Sequence, residues 1–246
     1  MPFFFDTVET IPVGAGFAHY GSLHLCWLAV FAAFAVLGSL GYRRCGAVGR
    51  GRWRKTLAAL IVADELFKMA CLFIGGNYSA KYLPLHLCSI NIFLIALHAC
   101  KPRWKGLGNY LYMVGIPGAI SALLFPSWAE LPLQNFMHIH SFTIHILLAA
   151  YPIIVTAGGD IKPDPRQLPR CLLLLAAMAV PLWFLNPLLG TNFMFLRYAE
   201  PGTPMVWFAR HWGSHLLGFP VLIAAVIIIM HLPPLVWRRL RAKITA

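Results

Sequence analysis

Leu23-His24-Leu25-Cys26-Trp27-Leu28-Ala29-Val30-Phe31-Ala32-Ala33-Phe34-Ala35-Val36-Leu37-Gly38-Ser39-Leu40-Gly41-Tyr42 is followed by Arg43, Arg44, Arg50, Arg52, Arg54 and Lys55, with no acidic residue between them. A bilayer core of about 30 Å needs roughly 20 residues of apolar helix, so the first part reads as a spanning segment. The cations that follow form the strongest positive-inside signal in the chain and predict a short cytoplasmic loop. Together they set the fold class: an all-α, polytopic transmembrane helix bundle with its N-terminus outside.

Composition agrees. Of 246 residues, 59% are hydrophobic and 11% charged, with a mean hydropathy of +0.71, against about 25% charged in soluble domains. The net charge of +12 sits between apolar runs rather than on an aromatic-interleaved basic surface, which argues for topology and against nucleic acid. Met1 to Phe17 lack a basic n-region and a small-residue cleavage site, so the expectation is an uncleaved first helix that serves as insertion signal. Cys26, Cys45, Cys71, Cys88, Cys100 and Cys171 form no C-x-x-C pair and fall mostly in apolar segments, where cysteine commonly packs.

Seven segments reach membrane length, near 22–42, 56–75, 83–100, 107–125, 136–157, 170–189 and 212–232. Alternating from the first loop, the inner side gains Lys101, Arg103 and Lys105, then Lys162, Arg166 and Arg170, then Arg238, Arg239, Arg241 and Lys243. The outer side receives Lys81, Arg197 and Arg210. That imbalance predicts seven helices in one membrane domain over residues 1–246, with the C-terminus cytoplasmic. A six-span variant, with the first or last segment interfacial, is the alternative.

Polar residues inside such segments are costly and need a use. Asp64, Glu65 and Lys68 share the second segment at helical-neighbour spacing, which predicts an internal ion cluster that fixes packing or relays protons. The third segment opens Tyr82-Leu83-Pro84-Leu85-His86-Leu87-Cys88-Ser89-Ile90-Asn91, entering from outside. The fourth carries Gly115, Pro117 and Gly118, small residues and a kink. In the fifth, Ser141 and His145 stack at i, i+4, with His138 on the same side and His140 about 160° away from it. Asn186, Asn192 and His215 lie at the same outer depth, so an outer-leaflet pocket closed below by hydrocarbon is expected.

Within that layer the sharpest pairing is Cys88 with His145. A thiol is a nucleophile as its thiolate, and an imidazole is the usual group to take the proton. His86, Asn91, Ser141, Asn186 or Asn192 would bind or support. The bland counterpart is that a transmembrane Cys packs and a transmembrane His bonds a neighbouring helix. A competing use is zinc, with His211 and His215 at i, i+4 joined by His138 or His86, as in seven-helix zinc hydrolases of lipid amides. A retinal receptor fails for want of a lysine in the last helix, and nucleotide-binding and nucleophile-elbow motifs are absent.

Leu83-Pro84-Leu85-His86-Leu87-Cys88-Ser89-Ile90, Ser141-Phe142-Thr143-Ile144-His145, Gly159 with Lys162-Pro163, and Asn186 through Gly190-Thr191-Asn192-Phe193-Met194-Phe195-Leu196 resemble the YwaF family of bacterial integral membrane proteins. That family is similar to a eukaryotic transmembrane acyltransferase that moves polyunsaturated acyl chains onto ether lysophospholipids. The resemblance implies Cys88 and His145 as the active pair, a membrane phospholipid or other acyl lipid as partner, no cofactor, and the bacterial cell membrane as location. The residues flanking Cys88 differ from the eukaryotic motif. The expected activity is therefore lipid acyl transfer. A small-solute or ion transporter using Asp64 and Lys68, and a structural or regulatory membrane protein, stay open, as does the oligomeric state.

Overall fold

The computed structural model describes residues 3–226 together with Ile228 and Met230. Among the described residues every regular element is helical and no strand is present. The helices are α1 (Ser22–Arg44), α2 (Ala47–Ile74), α3 (Leu87–Cys100), α4 (Lys105–Leu124), α5 (Phe136–Ala157), α6 (Leu168–Leu189), α7 (Pro204–Trp212) and α8 (His215–Val226). Four stretches are long and apolar enough to cross a membrane: Ser22–Arg44, Lys105–Leu124, Phe136–Ala157 and Pro165–Leu189. α3 and α8 are apolar but shorter. α2 has 28 residues but is interrupted by Asp64, Glu65 and Lys68. The last part of the expected 212–232 segment, and Arg238, Arg239, Arg241 and Lys243, lie outside the described residues.

α5 is the axis of the bundle and packs against α1, α2 and α4. Its start is fixed by Asn135, whose side-chain oxygen accepts from the backbone N–H groups of Met137 and His138 and satisfies two of the orphan donors of the first turn. From there 15 of its 22 residues are buried, including Phe136, Phe142, Ala149, Ala150 and Tyr151. α1 and α6 sit at the periphery and present Leu25, Val36, Leu37, Leu173, Val180 and Phe184 outward, the surface hydrocarbon tails would cover. Close approach of α1 to α5 depends on Gly38, where a Cβ would stand 2.6 Å from Ile154 Cδ1.

Three boundaries differ from the sequence reading. The basic run after Tyr42 is not a loop: only Cys45 and Gly46 are extended, and α2 begins at Ala47, so Arg50, Arg52, Arg54 and Lys55 occupy its first turns. Gly49 and Gly51 lower helix propensity without stopping a helix that packing holds. The third helix starts at Leu87 rather than 83, because Pro84 holds Leu83 extended (φ −56°, ψ 143°) and leaves His86 as the residue before the first turn. The last segment starts at His215, since Gly213 at φ 73° ends α7.

α4 is irregular where its sequence says it must be. Pro117 has no N–H to offer the carbonyl of Met113, and residues Leu111–Gly115 widen into a π turn in which Ile116 N–H reaches Leu111 O.

Candidate functional site

The entry to α3 is held from the other side of the molecule. Asn186, buried near the end of α6, accepts from Phe193 N–H (2.7 Å) and Thr191 Oγ1 (2.9 Å) and donates to Phe193 O (3.1 Å). This clamp sets the turn after Gly190, and Met194 N–H then donates to His86 Nδ1 at 3.4 Å, with the His86 ring edge-on to Phe193. Asn192 is engaged within the same loop, accepting from Arg197 and Tyr198 N–H and donating to Tyr198 O. The hydrogen bonds of Asn186 and Asn192 are thus made inside the loop that braces His86.

Cys88 lies in the first turn of α3 and packs on the core cluster that includes Ile144, Leu147 and Leu148 of α5. Asn91, one turn on, is buried with Oδ1 unpartnered, and its Nδ2 faces Gly115 in the π turn of α4. On α5, His145 Nδ1–H donates to Ser141 O at 2.6 Å. Because a carbonyl can only accept, the bond fixes the tautomer and leaves the Nε2 lone pair for other use. The ring lies flat on Trp128, centroids 5.2 Å apart at 11°.

Register places the two helices. His98 Nδ1 and the Tyr151 hydroxyl are 2.9 Å apart. α3 and α5 run in the same direction, each followed by a helix running back. Ten residues back from each member of that pair are Cys88 and Ser141. Cys88 and the His145 neighbours Ile144 and Leu148 thus belong to one packed cluster between these helices. No hydrogen bond joins Cys88 to His145 among the described residues.

Of Asp64, Glu65 and Lys68, two pair with each other and the third faces a histidine. Lys68 Nζ donates to Glu65 Oε1 at 2.5 Å, while Asp64 turns instead to α5, its Oδ2 standing 2.8 Å from His140 Nδ1, out of hydrogen-bond alignment. His140 Nε2 is 3.8 Å from Glu65 Oε2. Glu65, Lys68 and His140 are all buried. The sequence reading set His140 aside. The signal for it was angular: a histidine pointing away from His138 on a largely apolar helix needs a polar partner on another element, and α2 supplies the carboxylates.

The zinc alternative is overturned. His211 and His215 do not share a helix, because Gly213 breaks it; His211 Nδ1–H donates to Trp207 O and His215 Nε2–H to Phe195 O, each at 2.9 Å. His138 has both nitrogens engaged, donating to Leu131 O (2.9 Å) and accepting from Trp27 Nε1–H (3.1 Å). Among the described residues no group of three His, Cys, Asp or Glu side chains could hold a metal ion.

Two cavities are lined by none of the candidate residues. One of about 150 Å³ lies between Val8, Ile11 and Glu130. Another, of about 920 Å³, lies at the opposite, basic end of the bundle.

The chain matches the family model of the TMEM164 family over residues 17–231. No curated protein and no solved structure matches the chain.

Proposed function

Because the chain belongs to the TMEM164 family, and is with its apolar helices a multi-pass integral membrane protein, we propose that it is a lipid acyltransferase or transacylase of the bacterial cell membrane. In this reading seven segments span, the N-terminus is outside and the C-terminus cytoplasmic, and Cys88 and His145 carry the chemistry. The observation that carries the proposal is the His145 imidazole. Its Nδ1–H is tied to Ser141 O, which leaves the Nε2 lone pair as a base, and its neighbours Ile144 and Leu148 share a packed cluster with Cys88. The YwaF resemblance points to the same two residues.

The reaction runs in two balanced halves. His145 Nε2 takes the thiol proton as the Cys88 sulfur attacks the ester carbonyl carbon of a phospholipid. The C–O bond breaks, Nε2 returns the proton to the leaving oxygen, and a lysophospholipid departs from an acyl-thioester. The acceptor hydroxyl then gives its proton to Nε2, attacks the thioester carbon, and the sulfur leaves to regain that proton. Asn91, whose Nδ2 faces Gly115 in the π turn, is the group suited to donate to the tetrahedral oxyanion. No metal is needed.

The test is acyl exchange between a labelled phospholipid and a lysophospholipid in proteoliposomes, with intact-mass detection of a hydroxylamine-sensitive acyl adduct. The adduct should map to Cys88, vanish in C88A and fail to turn over in H145N. Exchange that survives C88A unchanged would defeat the proposal. A second reading, ion or proton transport, is favoured by the buried Glu65–Lys68–His140 cluster; it predicts pH flux across the same vesicles that E65Q abolishes.

A further inference from the structure

The cavity of about 920 Å³ opens where α1, α3 and α5 end and α2 and α4 begin, and its wall carries Arg50, Arg54, Arg103, Lys105 and Lys162. Its acids are already committed. Asp160 accepts from Arg50 Nη1 (3.0 Å), Arg54 Nη1 (2.6 Å) and the Tyr42 hydroxyl (2.5 Å), and Asp164 Oδ1 caps a turn at Arg166 N–H. Arg103, Lys105 and Lys162 have no carboxylate partner among the described residues. Charges placed only for topology would be solvated. Here two nitrogens are instead held dry at the floor: Arg54 Nε, always a donor, and His98 Nε2 are buried with no hydrogen-bond partner. His98 has no exposed surface. Its Nδ1 pairs with the Tyr151 hydroxyl, a group that can donate or accept; where the hydroxyl donates, Nε2 carries the N–H, and a Cβ on Gly108 in the cavity wall would lie only 3.4 Å from it. A buried N–H is costly to leave unpaired, and a site of this size suits a ligand rather than a bridging water.

We propose that this basic-end cavity binds the phosphate oxyanion of a phosphate ester, which Arg54 and His98 grip at the floor and Arg103, Lys105 and Lys162 draw in at the rim. Planar guanidinium donors match that geometry. The ester is either the headgroup of an anionic phospholipid at the membrane edge or a soluble phosphate, and the experiment separates them.

The full-length protein is melted in nanodiscs of phosphatidylcholine alone, of phosphatidylcholine with phosphatidic acid, and of phosphatidylcholine with added inorganic phosphate, against chloride at equal ionic strength. A ligand that binds only the folded state raises the melting temperature. A rise of a few degrees with phosphatidic acid that is lost in R103Q/K162Q and kept in R43Q/R52Q, whose basic residues lie outside the cavity, supports the headgroup. The same pattern with inorganic phosphate supports a soluble ligand. No rise with either, or equal rises in both double variants, overturns the proposal. Should R103Q/K162Q fail to purify, phenylglyoxal labelling of Arg103 in the wild type decides: protection by either phosphate source supports the site, and unchanged labelling overturns it.

Discussion

His98 on α3 and Tyr151 on α5 meet in a buried hydrogen bond of 2.9 Å, their rings edge to face at 89°, and this contact fixes how two parallel helices are slid against each other. Removing one partner leaves the other polar atom dry, which costs about 1–3 kcal/mol, whereas replacing both by apolar groups of like shape is close to neutral. H98L and Y151F should each lower stability by that amount, and the H98L/Y151F double variant by less than their sum. Thermal or denaturant unfolding in one detergent, read as a double-mutant cycle, checks this.

The sequence made the helical class legible because membrane length and charge asymmetry are global signals that local irregularity does not erase. What it misread were breaks. Pro84 delays α3 to Leu87, Gly213 splits the last segment, and a two-residue link brings Arg50, Arg52 and Arg54 into helix α2. Each error came from treating apolar length as helix length. At the site, Glu65–Lys68 was legible from i, i+3 spacing. The partnership of Asp64 with His140, and of Arg50, Arg54 and Tyr42 with Asp160, was not, since those contacts join elements whose pairing no periodicity encodes. The histidine triad for zinc failed for a related reason: each ring found a backbone carbonyl first.

The Glu65–Lys68 pair predicts unequal costs. Lys68→Met leaves Glu65 buried against a weak imidazole counter-charge, and breaking a buried pair costs about 3–5 kcal/mol. The double variant E65Q/K68M removes both charges together and should recover most of that loss. If K68M alone proves as stable as wild type in a detergent melt, the pair carries no structural weight.

Glu200 gives the loop after α6 a pH dependence. Burial raises its carboxyl above the ordinary value. With the folded pKa above the unfolded one, the stabilisation is complete below the unfolded pKa. It is lost as pH rises through the folded pKa, because the folded loop must then ionise a desolvated acid. E200Q should match wild type in acid and melt higher toward neutral pH. A constant difference across that range would show that the carboxyl does not titrate in this way.

Gly158 and Tyr42 make the most exacting prediction. Gly158 follows α5 at φ −76°, a conformation alanine adopts freely, so backbone strain is no obstacle. Space is. A Cβ there would stand 2.4 Å from Cδ1 and 2.5 Å from Cε1 of the Tyr42 ring, which is fully buried and tied through its hydroxyl to Asp160 and Arg54. The ring cannot retreat without giving up those bonds, so G158A should destabilise by about 1–3 kcal/mol, the usual cost of overpacking. Gly106 is the control: it lies in the first turn of α4 and its Cβ position meets nothing nearer than Trp104 Nε1 at 3.6 Å, an ordinary contact, so G106A should be neutral or slightly stabilising. Because Arg50 and Arg54 reach the same Asp160, G158A should also loosen the floor of the basic cavity. Arg54 should then become more reactive to phenylglyoxal in G158A than in G106A, a difference that an effect confined to α5 packing would not produce.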